Sequence, residues 1–67
     1  MIHLSAVKHA ARFSCRPTFS LFSCNSKGEY KLLSIHTSPQ SVVEAFEQAC
    51  HSAFGLEIRC DGVRVPL

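Results

Sequence analysis

The sequence predicts a small α+β fold in the order helix, β-hairpin, helix, β-hairpin. Apolar residues recur at helical spacing over residues 1–15 and about 40–54, and two turn signals are flanked by residues typical of strands. The chain of 67 residues has room for one small unit. We divide it into a basic amphipathic helix over residues 1–17 and a small α+β domain over residues 18–67.

The first predicted helix spans Met1–Cys15. At 100° per residue, Lys8, Arg12 and Arg16 form one basic stripe, and apolar side chains fill the opposite arc. Pro17 is expected to stop the helix, because proline disfavours helical geometry at the residue before it.

The first predicted hairpin joins strands over residues 18–24 and 29–36. The segment Asn25–Gly28 between them is rich in turn-forming residues. Leu33 breaks the alternation of apolar and polar residues in the second strand. The other apolar residues of that strand are expected to face the core: Tyr30, Leu32 and Ile35.

The second helix is predicted over about residues 40–54. Ser41 and Glu44 have the spacing of a capping box, in which each side chain bonds the backbone of the other. Alternatively, Pro39 occupies the first helical position. Gly55 is expected to end the helix in a left-handed conformation. The expected buried positions are Val42, Phe46, Ala49 and Ala53.

The second predicted hairpin turns at Asp61-Gly62, a pair typical of type I′ turns. A two-residue loop places Arg59 opposite Arg64, a repulsive pair that Glu57 would relieve. The same register puts three further pairs on one face: Cys60 with Val63, Ile58 with Val65, and Leu56 with Leu67.

The charge of the chain is unevenly distributed. No acidic residue precedes Glu29, so residues 1–28 carry a formal charge of +4 and the remainder carries −2. Such an amino terminus is typical of an organellar transit peptide, and also of a basic arm that binds nucleic acid. Lys8, Arg12 and Arg16 are therefore the candidate contacts to an import receptor or an acidic partner. A packed helix with a basic outer face remains the alternative.

No motif indicates catalysis, a cofactor or a metal site, so we expect a protein that is not an enzyme. The apolar stretches are far shorter than the ~20 residues of a membrane-spanning helix. The cysteines form no zinc-binding spacing, and free thiols are expected rather than disulfides. They lie at Cys15, Cys24, Cys50 and Cys60.

Two functional hypotheses follow. In the first, an organelle-directed protein, mitochondrial in a eukaryote, binds a partner protein through the second helix. The residues expected at that contact are Val42, Phe46, Ala49 and Phe54.

In the second hypothesis, the whole chain folds as a compact regulatory module of bacterial or phage type, which would be cytoplasmic. Its basic residues would meet an acidic partner or nucleic acid. We find no stacking platform for bases in the sequence, because Phe19 and Phe22 are expected in the core. A third hypothesis is that the reading frame has no selected function.

Overall fold

The computed structural model describes residues 4–50 and 55–66. It confirms the small α+β fold and its order of elements, with two helices and a four-stranded antiparallel sheet. The elements are helix α1 (Leu4–Ala10), strands β1 (Phe19–Cys24) and β2 (Tyr30–His36), helix α2 (Pro39–Ala49), and strands β3 (Glu57–Cys60) and β4 (Val63–Arg64).

The strands lie in the order β2-β1-β3-β4. Helix α2 packs against β1 and β2, and α1 packs against α2. Both helices contribute to one core on one side of the sheet. Among the described residues, the buried apolar cluster comprises Val7, Phe19, Leu21, Val42, Val43, Ile58, Cys60 and Val65.

The second hairpin has the predicted turn and register. Asp61 and Gly62 have φ angles of 51° and 83°, as a type I′ turn requires. Cys60 pairs with Val63 in the ladder. The Val65 N–H donates to the Ile58 carbonyl at 2.8 Å. The predicted partner of Leu56, Leu67, lies outside the described residues.

Helix α1 is shorter than predicted, because it ends at Ala10 rather than at Cys15. The Ala11 N–H is shared between the carbonyls of Val7 and Lys8, each at 3.2 Å. Beyond it the chain forms tight turns, and the Arg12 N–H donates to the His9 carbonyl at 3.2 Å. Bonds of this tighter type are common where a helix ends. The predicted first residues, 1–3, lie outside the described part.

Helix α2 begins with Pro39 at its first turn, after the N-cap residue Ser38. The capping box predicted at Ser41 is therefore wrong, and the alternative start at Pro39 is correct. Proline suits this position because the first N–H groups of a helix have no partner within it. At the other end, the Cys50 N–H donates to the Phe46 carbonyl at 3.0 Å. The predicted last turn, residues 51–54, lies outside the described part.

The predicted orientation of β2 is wrong. Tyr30, Leu32 and Ile35 share one face of the strand, but it is the face away from the core, and they are 53%, 47% and 60% exposed. The register between β1 and β2 shifts at Leu33, so that Leu32 pairs with Phe22 and Ile35 with Ser20. On β1, Phe19 and Leu21 fill the core. The residues that alternate with them and the β2 residues paired to those must therefore point to the other side of the sheet.

Candidate functional site

The face of the sheet away from the helices is the most distinctive surface of the molecule. Within residues 4–50 and 55–66, neither helix covers it, and it combines aromatic, aliphatic and basic side chains. We call it the open face. Its residues include Ser20, Phe22, Tyr30, Leu32, Ile35, Glu57, Arg59 and Arg64.

Arg59 is the centre of the open face. Its guanidinium carbon lies 4.5 Å from the centroid of the Phe22 ring and 5.3 Å from that of Tyr30. Both distances are within the range of cation–π contacts. The guanidinium and the two rings thus form one continuous surface of planar groups across β3, β1 and β2.

A buried carboxylate holds the two arginines of the open face. Glu57 Oε2 lies 2.5 Å from Arg59 Nε, and Glu57 Oε1 lies 3.3 Å from Arg64 Nε. The Glu57 side chain is only 8% exposed, whereas that of Arg64 is 74% exposed. As predicted, Glu57 offsets the repulsion between Arg59 and Arg64, because its carboxylate contacts both. Glu57, Arg59 and Arg64 together have a net charge of +1, and Arg64 is the most exposed of the three.

The register of the ladders explains this grouping. Arg59 pairs with Ser20 on one side and with Arg64 on the other, while Phe22 pairs with Glu57. Residues two apart on a strand share a face, so Glu57 and Arg59 lie side by side. Phe22 was expected in the core, but it is half-buried beneath Arg59 on the open face. Phe19 alone of the two phenylalanines is in the core.

The residues predicted to bind a partner through α2 lie mainly against the sheet. Val42 is fully buried in the core, and Phe46 and Ala49 pack against that core while half-buried. A partner could reach Val42 only if α2 separated from the sheet. The fourth predicted contact, Phe54, lies outside the described residues.

The predicted basic stripe is exposed but not continuous along one helix. Lys8 lies on α1, whereas Arg12 lies in the turn after it and Arg16 in the loop before β1. The Arg12 guanidinium donates to the His9 carbonyl at 2.7 Å and lies 4.5 Å from the centroid of the Phe13 ring. On the opposite side of α1, Val7 is fully buried.

A polar cluster between β2 and α2 was not predicted. The two ring nitrogens of His36 lie 2.7 Å from the Ser41 hydroxyl oxygen and 2.8 Å from that of Ser34. The cluster is partly buried and joins the end of β2 to the first turn of α2. Its sequence signal is weak: Ser34 and His36 are two residues apart on β2, but Ser41 meets them only because α2 packs against that strand.

Burial and hydrogen bonds shift two pKa values near the second hairpin. Burial, and then the charge of Asp61, raises the pKa of the Cys60 thiol. The pKa of Asp61 is lowered by the Thr18 N–H, which donates to Oδ1 at 3.0 Å, and then by the Ser14 hydroxyl. All four cysteines are free thiols. The described residues contain no cluster of three or more potential metal ligands.

No protein-family model, curated protein or solved structure matches this chain. Among the described helices, none is long and apolar enough to cross a membrane.

Proposed function

We propose that this protein is a small nucleic-acid-binding module that holds single-stranded RNA or DNA on its open face. The observation that carries the proposal is the stacked arrangement of Phe22, Arg59 and Tyr30. Single strands are bound without strict sequence preference by aromatic rings and guanidinium planes on which bases stack. An exposed arginine beside the stack supplies a phosphate contact, and here that residue is Arg64.

Charge favours a polyanion over a neutral partner. The chain carries a formal charge of +2, and the only carboxylate of the open face, Glu57, is buried beneath the arginines. A strand of nucleic acid approaching this face would meet Arg64 before it met Glu57. The small size of the sheet limits the contact to a few nucleotides, so we expect weak binding that depends on salt.

Two substitutions on the open face test the proposal. The probe is a fluorescent single strand of about eight nucleotides, followed by anisotropy between about 50 and 200 mM salt. Tyr30→Leu keeps an apolar side chain but removes the ring, and should weaken binding about tenfold. Arg64→Gln should lower the slope of log K against log salt by about 0.7, the value for one phosphate contact on a single strand.

Lys31→Gln is the matched control, because it removes the same charge from β2 at a position between Tyr30 and Leu32 that points to the other face. It should leave the slope unchanged. The proposal is wrong if Lys31→Gln weakens binding as much as Arg64→Gln, or if polyglutamate competes as well as nucleic acid. It is also wrong if the free protein is a dimer in which Tyr30 is shielded, since a second copy would then occupy the open face.

An organellar address is a second candidate function, supported by a different observation. Lys8, Arg12 and Arg16 are all exposed, and no carboxylate precedes Glu29 in the chain. Import receptors recognise basic segments of this kind. The buried Val7 favours the competing interpretation, in which α1 is a permanent part of the fold. The two interpretations differ in what residues 1–38 do when separated from α2.

A further inference from the structure

A cleft of about 440 Å³ lies between α1 and the β3–β4 hairpin. Its size is within the range of small-molecule sites, which are mostly apolar with a few polar groups. The cleft is on the helix side of the sheet, and of its lining residues Arg64 also belongs to the open face. Its lining includes Ala6, Ala10, Arg12, Cys60, Val63 and Pro66.

Small side chains on α1 leave this space unfilled. Ala6 and Ala10 are four residues apart and therefore lie on the same side of the helix, toward the hairpin. Across the cleft, Val63 is 69% exposed although it is apolar and lies in a strand. Cys60, which is buried, also lines the cleft. An apolar ligand entering here would cover surface that the chain itself leaves in water.

The charged groups around the cleft are arranged for an anion. Arg12 lines it, and the contacts of its guanidinium with the His9 carbonyl and the Phe13 ring restrict its movement. Arg64 also lines the cleft, but its Nε is directed to Glu57 across the sheet. The nearby carboxylate of Asp61 accepts the Thr18 N–H at 3.0 Å and is not part of the lining.

We propose that this cleft binds a small aliphatic carboxylate, with the apolar chain between α1 and Val63 and the carboxylate on Arg12. A guanidinium matches the two oxygens of a carboxylate in geometry as well as in charge. Ala6, Ala10 and Val63 would bind the alkyl chain of the ligand through the hydrophobic effect alone. This site does not depend on the nucleic-acid proposal, since its anion contact is Arg12 and not Arg64, and its apolar lining lies on the helix side of the sheet.

Octanoate is a suitable probe, with 1-octanol as the uncharged molecule of the same chain length. We expect octanoate to shift the methyl resonances of Ala6, Ala10 and Val63 in a saturable manner. Arg12→Gln should weaken octanoate binding about tenfold, because it removes the charge-assisted contact. Lys8→Gln is the matched control on the same helix, and should change the affinity less than twofold because Lys8 does not line the cleft.

Filling the cleft gives an independent test. Ala10→Leu places a larger apolar side chain in the cleft and should abolish the octanoate-induced shifts. If Ala10→Leu does not fold, Ala6→Val is the substitute. The site is refuted if octanoate shifts only resonances elsewhere, or none. The role of Arg12 is refuted if 1-octanol binds as tightly as octanoate and Arg12→Gln binds like the wild type. Tyr30→Leu should leave octanoate binding intact, which separates this test from that of the open face.

Discussion

The ring of His36 joins β2 to α2, since its Nδ1 lies 2.7 Å from the hydroxyl oxygen of Ser41. This contact replaces the capping role predicted for Ser41. The N-cap residue, Ser38, makes no side-chain bond to the helix. A serine that was expected to stabilise α2 locally therefore connects the helix to the sheet.

Ser41→Ala should lower the free energy of unfolding by about 1 kcal/mol, the usual value of a partly buried hydrogen bond. In a His36→Ala background the same substitution should cost much less, because its partner is already absent. Denaturant unfolding of the four proteins in this cycle measures the difference. Ser38→Ala is the control, and should have little effect. Equal losses from Ser41→Ala in both backgrounds would restore the capping interpretation.

The conformation of Gly55 supports a prediction about backbone geometry. Its φ is 66°, and a Cβ placed there would lie 2.7 Å from the carbonyl oxygen of Cys24. Gly62 also has a positive φ, 83°, but a Cβ there would meet nothing within 4 Å. Gly62→Ala should therefore cost about 1–2 kcal/mol from backbone strain alone. Gly55→Ala should cost more, because the β1 backbone must also move. Equal costs in thermal unfolding would contradict the close approach.

Local turn chemistry made several features predictable from the sequence. Asp61-Gly62 specifies a two-residue loop, and the loop length then determines the pairing of Arg59 with Arg64. Asn25 likewise forms the expected turn, with its Oδ1 accepting the N–H groups of Lys27 and Glu29 at 2.9 and 3.0 Å. These signals act within a few residues, so that no knowledge of the tertiary fold is needed.

The open face could not be predicted in the same way. The sequence groups Tyr30, Leu32 and Ile35 correctly on one side of β2, but it does not say which side the helices cover. That choice depends on β1, whose Phe19 and Leu21 enter the core. A pattern of alternation fixes which residues share a face, whereas long-range packing decides which face is buried.

The pKa of Asp61 predicts how stability depends on pH. The pKa is lower in the folded protein than the ordinary value, so Asp61 stabilises the fold when ionised. This contribution is complete above the unfolded pKa of about 3.9 and is lost as the pH falls through the folded value. Asp61→Asn can still accept the Thr18 N–H and does not titrate. The melting temperature of the wild type should therefore fall toward that of Asp61→Asn, or below it, as the pH decreases from about 5 to 2. A constant difference would contradict the shift.

The thiols should differ in reactivity. Cys60 is buried and its pKa is raised, whereas Cys15 is exposed. Iodoacetamide reacts with the thiolate, so at about pH 8 Cys60 should be alkylated at least about tenfold more slowly than Cys15. Mass spectrometry of the digested protein gives both rates. In denaturant the two rates should become similar, and equal rates in the native protein would place Cys60 outside the core.

The burial of Val7 predicts that α1 is needed for stability. Val7→Ala should lower the free energy of unfolding by about 2 kcal/mol, from lost burial and the cavity left behind. Phe13→Ala is the control in the same segment, because Phe13 is 88% exposed, and its effect should stay within about 0.5 kcal/mol. Equal, small effects would mean that α1 detaches from the core in solution.

The address hypothesis makes a separate prediction for residues 1–38. In that fragment α2 is absent, so Val7 has no helix to pack against and the basic segment is available to a receptor. A reporter fused to residues 1–38 should enter mitochondria in a eukaryotic cell. Arg12→Glu with Arg16→Glu should keep it in the cytosol, because the double reversal removes the basic surface and leaves the apolar residues intact.

Lys27→Glu with Lys31→Glu is the matched control, since it reverses as much charge outside the basic segment and should not prevent import. The same reporter fused to residues 1–67 measures the competition between import and folding, because there the buried Val7 holds α1 in the fold. If import of the full chain is weaker than that of residues 1–38 and recovers with Val7→Ala, the packing of α1 against the core limits recognition of the basic segment. If every fusion stays in the cytosol, or both double variants fail alike, the basic residues do not act as an address, and α1 is a packed helix with a charged outer surface.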